Sequence, residues 1–171
     1  APEKEDILVF MTGQEEIESA ARDLRLIAND STSSGSSVNL LFQNNTSLFQ
    51  AHRKINVCTL YAAQQPTIIN KIMTPTNNRK VILATNIAET SLTIPRVRHV
   101  VDSCRVKAKS HQPSTGLDLL KVVRISKAQA LQRTGRAGRE SEGNCYRMLT
   151  RNEFERLPDE TTPEIKRCNL T

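Results

Sequence analysis

The apolar and polar positions of this chain fall into alternating blocks. Ile7-Leu8-Val9-Phe10-Met11 is an unbroken apolar run. Such a run suits a strand covered on both faces, as in a parallel sheet. Thr12-Gly13 makes a turn, and Ile17, Ala20, Ala21, Leu24 and Ile27 then recur near helical spacing, which predicts a helix over 14–28. Glu15 and Glu16 stand in its first turn, where they complement the helix dipole. Further apolar runs predict strands at 57–61, 80–84, 97–103 and 144–149. Pro66 suits the start of a short helix carrying Ile68, Ile69 and Ile72. Between 105 and 125 basic and apolar residues alternate around His111-Gln112-Pro113-Ser114-Thr115-Gly116, the pattern of a β-hairpin. Ser126 can cap a helix running to about Arg136, and Thr150 a closing helix near 153–156 that Pro158 ends.

Strands alternating with helices predict an α/β fold, a parallel sheet with helices on both faces, here with a protruding β-hairpin near 104–125. Ligands of such folds bind beyond the carboxyl ends of the strands. Chemistry is therefore expected at Met11-Thr12-Gly13, Tyr61-Ala62 and Ala84-Thr85-Asn86. The polar start, 1–6, reads as a linker or cut site of a longer protein, and 7–171 as one domain. The small polar tract Asn29-Asp30-Ser31-Thr32-Ser33-Ser34-Gly35 opens a flexible Ser-rich insertion near 29–45. The stretch 38–55 fits either a short helix around 47–54 or part of that insertion. Pro163 opens a final short segment.

Composition narrows the partners. Lys and Arg number 24 against 18 Asp and Glu, a net charge of +6. That balance favours an anionic partner such as nucleic acid or nucleotide phosphate, although ordinary solubility accounts for it too. Aromatic residues make up 4% of the chain, so contact through phosphates and sugars fits better than base stacking. Cys58, Cys104, Cys145 and Cys168 are scattered with no CxxC pair, which argues against zinc and against a disulfide framework. No apolar run approaches a membrane span. No metal site is expected within the chain.

The densest chemistry lies in Gln132-Arg133-Thr134-Gly135-Arg136-Ala137-Gly138-Arg139. Three arginines fall three residues apart, and on a helix that spacing keeps them near one face, with Gln132 one turn before Arg136. Gly135 and Gly138 cost a helix about 1 kcal/mol each relative to Ala while leaving room for a close neighbour. Guanidinium groups grip phosphate oxygens in two places at once, and a nearby Gln can hold a water. This is equipment for stabilising charge in phosphoryl transfer. The plainer alternative is a solvated basic helix end paired with acids such as Glu140 and Glu142.

This octet resembles the last motif of superfamily 2 helicases in its DEAH-box form. Ala84-Thr85-Asn86-Ile87-Ala88-Glu89-Thr90-Ser91-Leu92-Thr93-Ile94 is similar to the family's motif V, and Leu8-Val9-Phe10-Met11-Thr12-Gly13-Gln14-Glu15-Glu16-Ile17 to its motif IV. Pro163-Glu164-Ile165-Lys166-Arg167 resembles the segment closing the second RecA-like domain. The resemblance implies the second, RecA-like motor domain of an ATP-dependent RNA helicase. Arg136, Arg139 and Gln132 would then be catalytic. Ser91, Thr93, Arg133 and Met73 would face the nucleotide, and Thr85, Asn86 and Ala62 the RNA backbone. Lys107 and Lys109 would reach RNA phosphates from the hairpin.

Three positions depart from the family pattern. Pro95 stands where many members carry a ribose-binding Asp. Met73 stands where many carry a base-stacking aromatic, which predicts weak discrimination among bases. Ala62 replaces a Gly.

No GxxxxGK[ST] loop and no DEAH box occur in the chain. The resemblance therefore implies that ATP, or another NTP, with Mg2+ is held mainly by a first RecA-like domain of the same polypeptide. The fragment alone would be inactive. RNA is the implied partner, protein activators are allowed for, and no membrane is involved. Gln132-Arg133-Thr134-Gly135 and Arg167-Cys168-Asn169-Leu170 look more like the nucleolar ribosome-biogenesis and RNA-sensing branch than the splicing branch. That implies a nuclear, nucleolar location with room for a cytoplasmic share. The competing readings are a degenerate lobe acting as an RNA- or protein-binding module, and a DNA translocase of the same superfamily.

Overall fold

The computed structural model describes residues 5–29, 55–112, 117–139 and 142–161. In chain order the elements are β1 (Asp6–Phe10), α1 (Gln14–Asn29), β2 (Ile55–Leu60), α2 (Pro66–Met73), β3 (Arg79–Ala84), α3 (Ile87–Thr90) and β4 (Val97–Asp102). They continue with β5 (Arg105–Gln112), β6 (Leu117–Arg124), α4 (Lys127–Thr134), β7 (Asn144–Arg147) and α5 (Arg151–Glu155). Five strands form one parallel sheet in the order β2-β3-β1-β4-β7.

The unbroken apolar runs are explained by this order. β1 and β3 are interior strands, and successive side chains leave on opposite faces. Leu8, Phe10, Ile82, Ala84 and Val100 point into a cluster with Ile72 of α2, Ala88 of α3 and Ala137. Val81 and Leu83, with Ile7 and Val9, meet Ile17 and Ala21 of α1 on the other face. Helices thus cover both faces, as the alternation of elements implied.

Several expected boundaries shift slightly, and two of the shifts matter. Asp6, assigned to the linker 1–6, is instead the first residue of β1 and is fully buried. Its Oδ1 accepts from the Lys80 backbone N–H at 2.7 Å. Burial raises its pKa despite that bond and the nearby Lys80 ammonium. Lys80 is itself buried and donates to the carbonyls of Ile72 at 2.5 Å and Thr74 at 3.1 Å, closing the end of α2. The second change is that α4 stops at Thr134 rather than Arg136. The expected Ser-rich insertion near 29–45 lies, apart from Asn29, outside the described residues. So do the segment after Pro163 and Cys168.

At the end of β4 the chain leaves the sheet. Cys104 adopts φ 56, a left-handed conformation, and its N–H donates to Asp102 Oδ1 at 2.8 Å. That turn launches β5 and β6, which pair antiparallel from Arg105↔Arg124 to Gln112↔Leu117 as a separate two-stranded ribbon. A third cluster, Cys104, Ile125 and Ala130 with Val106, Leu149 and Phe154, roots the ribbon against α4 and α5. The ribbon beyond this root carries exposed Leu117, Leu120 and Val122. Both short C-terminal helices carry reciprocal capping boxes, Ser126 with Gln129 and Thr150 with Glu153.

Candidate functional site

The carboxyl ends of β1, β2 and β3 open onto a groove of about 670 Å³. Thr12, Tyr61, Ala62, Thr85 and Asn86 line it from the strand ends, and Lys107 and Lys109 line it from the hairpin. The five residues expected to face nucleic acid, Thr85, Asn86, Ala62, Lys107 and Lys109, are therefore brought to one concavity. Asn86, Ala62 and both lysines are exposed there, while Thr85 is half-buried with its N–H donating to Leu60 O at 3.1 Å.

Gly13 has a specific reason. A Cβ on it would stand 2.8 Å from Lys107 Nζ, so the lysine lies directly across the β1–α1 turn. A side chain at residue 13 would lift the lysine off the groove wall. The wall on the β2 side is fixed by Tyr61, whose hydroxyl donates to Glu18 Oε1 at 2.7 Å and accepts from Gln14 Nε2 at 3.4 Å. The bond to Glu18 raises the phenol pKa. Glu16 accepts from both Thr12 N, at 2.8 Å, and Thr12 Oγ1, at 2.6 Å, holding the turn from the α1 side.

The arginine segment is not the single helical face its spacing suggested. Because α4 ends at Thr134, the chain from Gly135 onward runs as turns, and the three guanidiniums reach three depths. Arg133 is fully buried. Its Nε donates to Glu89 Oε2 at 3.0 Å and its Nη1 to Asp102 Oδ1 at 2.7 Å, with the guanidinium 4.7 Å above the Phe10 ring. This corrects the expectation that Arg133 faces the nucleotide: two carboxylates and an aromatic ring hold it inside the core.

Arg136 is half-buried. It donates to the backbone carbonyls of Leu92, at 3.2 Å, and Glu89. Among the described residues its bonded acceptors are carbonyls rather than carboxylates, and the Glu89 charge nearby favours its ionised form. Burial, and then the charge of neighbouring Arg139, hold its pKa below the usual guanidinium range. Arg139 is exposed and donates to Thr93 Oγ1. Gln132 and Ser91 are exposed as well. Arg139 and the Thr93 hydroxyl at the surface, with the half-buried Arg136 next to them in the turn, form a donor set that suits a phosphate anion. Met73 sits apart from this description: it is half-buried and packs on the core with Ile68 and Ile69. Among the described residues no group of three or more His, Cys, Asp and Glu side chains is placed to hold a metal ion.

Sequence reasoning missed the partners of Arg133. In the sequence Glu89 stands inside a motif with no role of its own, and Asp102 falls near the end of a strand. A signal was present: an acid within or next to an apolar run must find a compensating group when buried. Both acids are 5% exposed or less, and one arginine serves both. Gln129 was also passed over. It closes the Ser126 capping box, lines the groove, and donates to Glu89 Oε1 at 3.4 Å.

Comparison with known proteins places these features in context. The family model described as helicase conserved C-terminal domain matches residues 2–141. The chain is 48% identical over 172 residues to ATP-dependent RNA helicase DHX33 of Drosophila melanogaster, and 47% over 174 residues to DHX33 of Homo sapiens. Both alignments cover 99% of this chain and 22% of the relative. It is 46% identical over 168 residues to the pre-mRNA-splicing factor ATP-dependent RNA helicase DEAH10 of Arabidopsis thaliana, covering 97% of this chain and 21% of that protein. The crystal structure of E. coli DExH-box NTPase HrpB superposes with a TM-score of 0.75 at 31% identity, over 99% of this chain and 18% of that one. The chain spans about a fifth of the length of the curated relatives it matches.

Proposed function

We propose, from the premise that the chain belongs to the helicase conserved C-terminal domain family in its DEAH-box form, that it works as the second motor lobe of an NTP-driven RNA helicase. The lobe offers two surfaces joined by one short segment. Residues 85–93 run from the groove, at Thr85 and Asn86, to the arginine pair, at Thr93. The observation that carries the reading is this shared segment: Arg139 bonds Thr93 while Asn86, seven residues earlier, lines the groove beneath Lys107.

In this reading the Arg136 and Arg139 guanidiniums neutralise charge on a triphosphate presented by a first RecA-like domain. Ser91 and Thr93 supply hydroxyls, and Gln132 orients a water. The nucleotide, with Mg2+ bound mainly by that other domain, supplies the phosphoanhydride whose cleavage drives motion. Met73, the last residue of α2, is half-buried on the core and would offer a base only a loose contact. Lys107, Lys109, the Ala62 backbone, Thr85 and Asn86 hold an RNA backbone by phosphate and sugar, which implies low sequence specificity. In this reading coupling runs through that segment: a shift at Thr93 would reach the groove at Asn86, seven residues away.

The fragment alone is expected to be inactive, because it carries no Walker loop and no DEAH box. The proposed location is the nucleus, the nucleolus included, with room for a cytoplasmic share; the segments Gln132-Arg133-Thr134-Gly135 and Arg167-Cys168-Asn169-Leu170 support it, and imaging of the full-length protein tests it. The central test is RNA-stimulated NTP hydrolysis by the full-length protein carrying Arg139→Ala. Turnover is expected to fall about a thousandfold, by analogy with arginine fingers. Near-normal turnover defeats the assignment.

A further inference from the structure

The octet contains one arginine that the proposed chemistry does not use. Arg133 is 0% exposed, and its four neighbours belong to four different elements. Nε meets Glu89 in α3, and Nη1 meets both Asp102, at the end of β4, and the Arg105 carbonyl, at 3.3 Å, at the start of β5. The face of the guanidinium lies over Phe10 in β1.

We propose that Arg133 is a positioning residue that locks the arginine turn, the 85–93 segment and the hairpin root into one rigid unit, so that groove and arginine pair respond together. This rests on the functional reading above. The case is geometric. Glu89 is held on two sides: its carboxylate accepts from Arg133 at 3.0 Å and from groove-lining Gln129 at 3.4 Å, while its backbone carbonyl accepts from Arg136. Displacing Glu89 therefore displaces the half-buried Arg136, one of the arginine pair. Asp102 is held likewise: its Oδ1 accepts from Arg133 and from Cys104 N, the residue at which the chain turns out into the hairpin. Lys107, two residues beyond Arg105, crosses the groove at Gly13.

A planar guanidinium donates along fixed directions and so sets the relative position of two carboxylates and a carbonyl. A lysine ammonium carries the same charge but acts as a point, and does not fix that spacing. Packed interiors with discrete arrangements pass such displacements on rather than absorbing them. Burying this charge is costly, and the more so because Arg133 Nη2 and Asp102 Oδ2 are buried with no hydrogen-bond partner among the described residues. A leucine there would leave Glu89 and Asp102 buried without a counter-charge, so the two acids explain the positive charge, and the fixed spacing explains why it is a planar guanidinium.

The test uses full-length protein, ATP and a homopolymeric single-stranded RNA. Arg133→Lys and Glu89→Gln are compared with wild type for basal turnover, RNA-stimulated turnover, KM for ATP and thermal unfolding. Expected is a fall of about fivefold or more in the ratio of stimulated to basal turnover in both variants, the size of an ordinary coupling between sites. KM for ATP should move less than that ratio. A merely structural role would reduce the active fraction and scale both rates together, leaving the ratio intact. An unchanged ratio in folded Arg133→Lys overturns the proposal. Where Arg133→Lys does not fold, Glu89→Gln, which keeps the shape of the side chain, decides alone: an unchanged ratio refutes, a lowered one supports. Failure of the functional reading is distinguishable, because wild-type protein would then show no RNA-stimulated turnover at all.

Discussion

Replacing Gly143 with alanine puts a methyl group where two backbone carbonyls already stand. The new Cβ would lie 2.3 Å from the Ala137 oxygen and 2.6 Å from the Arg98 oxygen. Ordinary carbon contacts begin near 3.5 Å, so one wall must retreat by about 1 Å. Neither wall is a flexible side-chain end that could rotate away. Arg98 lies in β4, an interior strand of the sheet, and Ala137 lies between Arg136 and Arg139 in the arginine turn. The turn is the softer of the two and should move. Overpacking of this kind costs about 1–3 kcal/mol. With an m-value of about 2 kcal/mol/M for a chain of this size, the urea midpoint should drop by about 0.5–1.5 M. Far-ultraviolet circular dichroism during urea titration reads this directly. Gly138→Ala is the matched control, since its Cβ would meet nothing within 4 Å. It should unfold at the wild-type midpoint or slightly above, because alanine lowers the entropy of the unfolded chain by about 0.4–1 kcal/mol. In the full-length protein Gly143→Ala should also lose about a hundredfold in turnover, the usual consequence of misplacing a catalytic group by about 1 Å. A midpoint for Gly143→Ala within about 0.2 M of wild type would show that residue 143 does not approach the arginine turn this closely.

Other outcomes follow from single contacts. Cys104 is fully buried beside Asp102, and burial pushes its thiol up to about 12. Because the thiolate is the reacting species, iodoacetamide at pH 8 should label Cys104 only as fast as the chain unfolds, which peptide mass spectrometry measures. Glu153 is held down to about 2, first by its bond from Arg124 at 2.8 Å and then by Thr150. Its contribution to stability is present above the unfolded carboxylate range and is lost as pH falls through about 2. An NMR titration of its carboxyl carbon should show that midpoint, and Arg124→Gln should raise it. Lys107→Gln and Lys109→Gln in the full-length protein should each lower the slope of log affinity against log salt for single-stranded RNA by about 0.7. A slope that stays at the wild-type value in both would remove the hairpin from the RNA track.

Much of the architecture was legible because the physics was local. Ile7 to Phe10 and the apolar stretch of β3 announce strands buried on both faces, and no tertiary information is needed to see that they require helices on each side. Ser126 and Thr150 cap helices by bonds that span three residues, so their role follows from spacing alone. The arginine octet shows where such reasoning stops. Extending α4 through Arg136 was reasonable on periodicity, but the helix ends at Thr134, and the two glycines then sit in turns. Arginines three apart no longer share a face once the helix has ended. Asp6 was misplaced for a related reason. A charged residue in a polar run reads as solvated until Lys80, distant in sequence, arrives beside it in the sheet.

By itself the chain determined its class of fold, the order of its strands and helices, and the kind of ligand its arginines and small hydroxyl residues suit, because each depends on residues near one another in sequence. Which arginine serves which purpose was decided only in three dimensions. Glu89 and Asp102 lie 44 and 31 positions from Arg133, and nothing in the spacing distinguishes it from Arg136 or Arg139. Burial made the choice. One guanidinium met two carboxylates in the core and became part of the frame, while the other two bond carbonyls and a hydroxyl, Arg136 half-buried and Arg139 exposed.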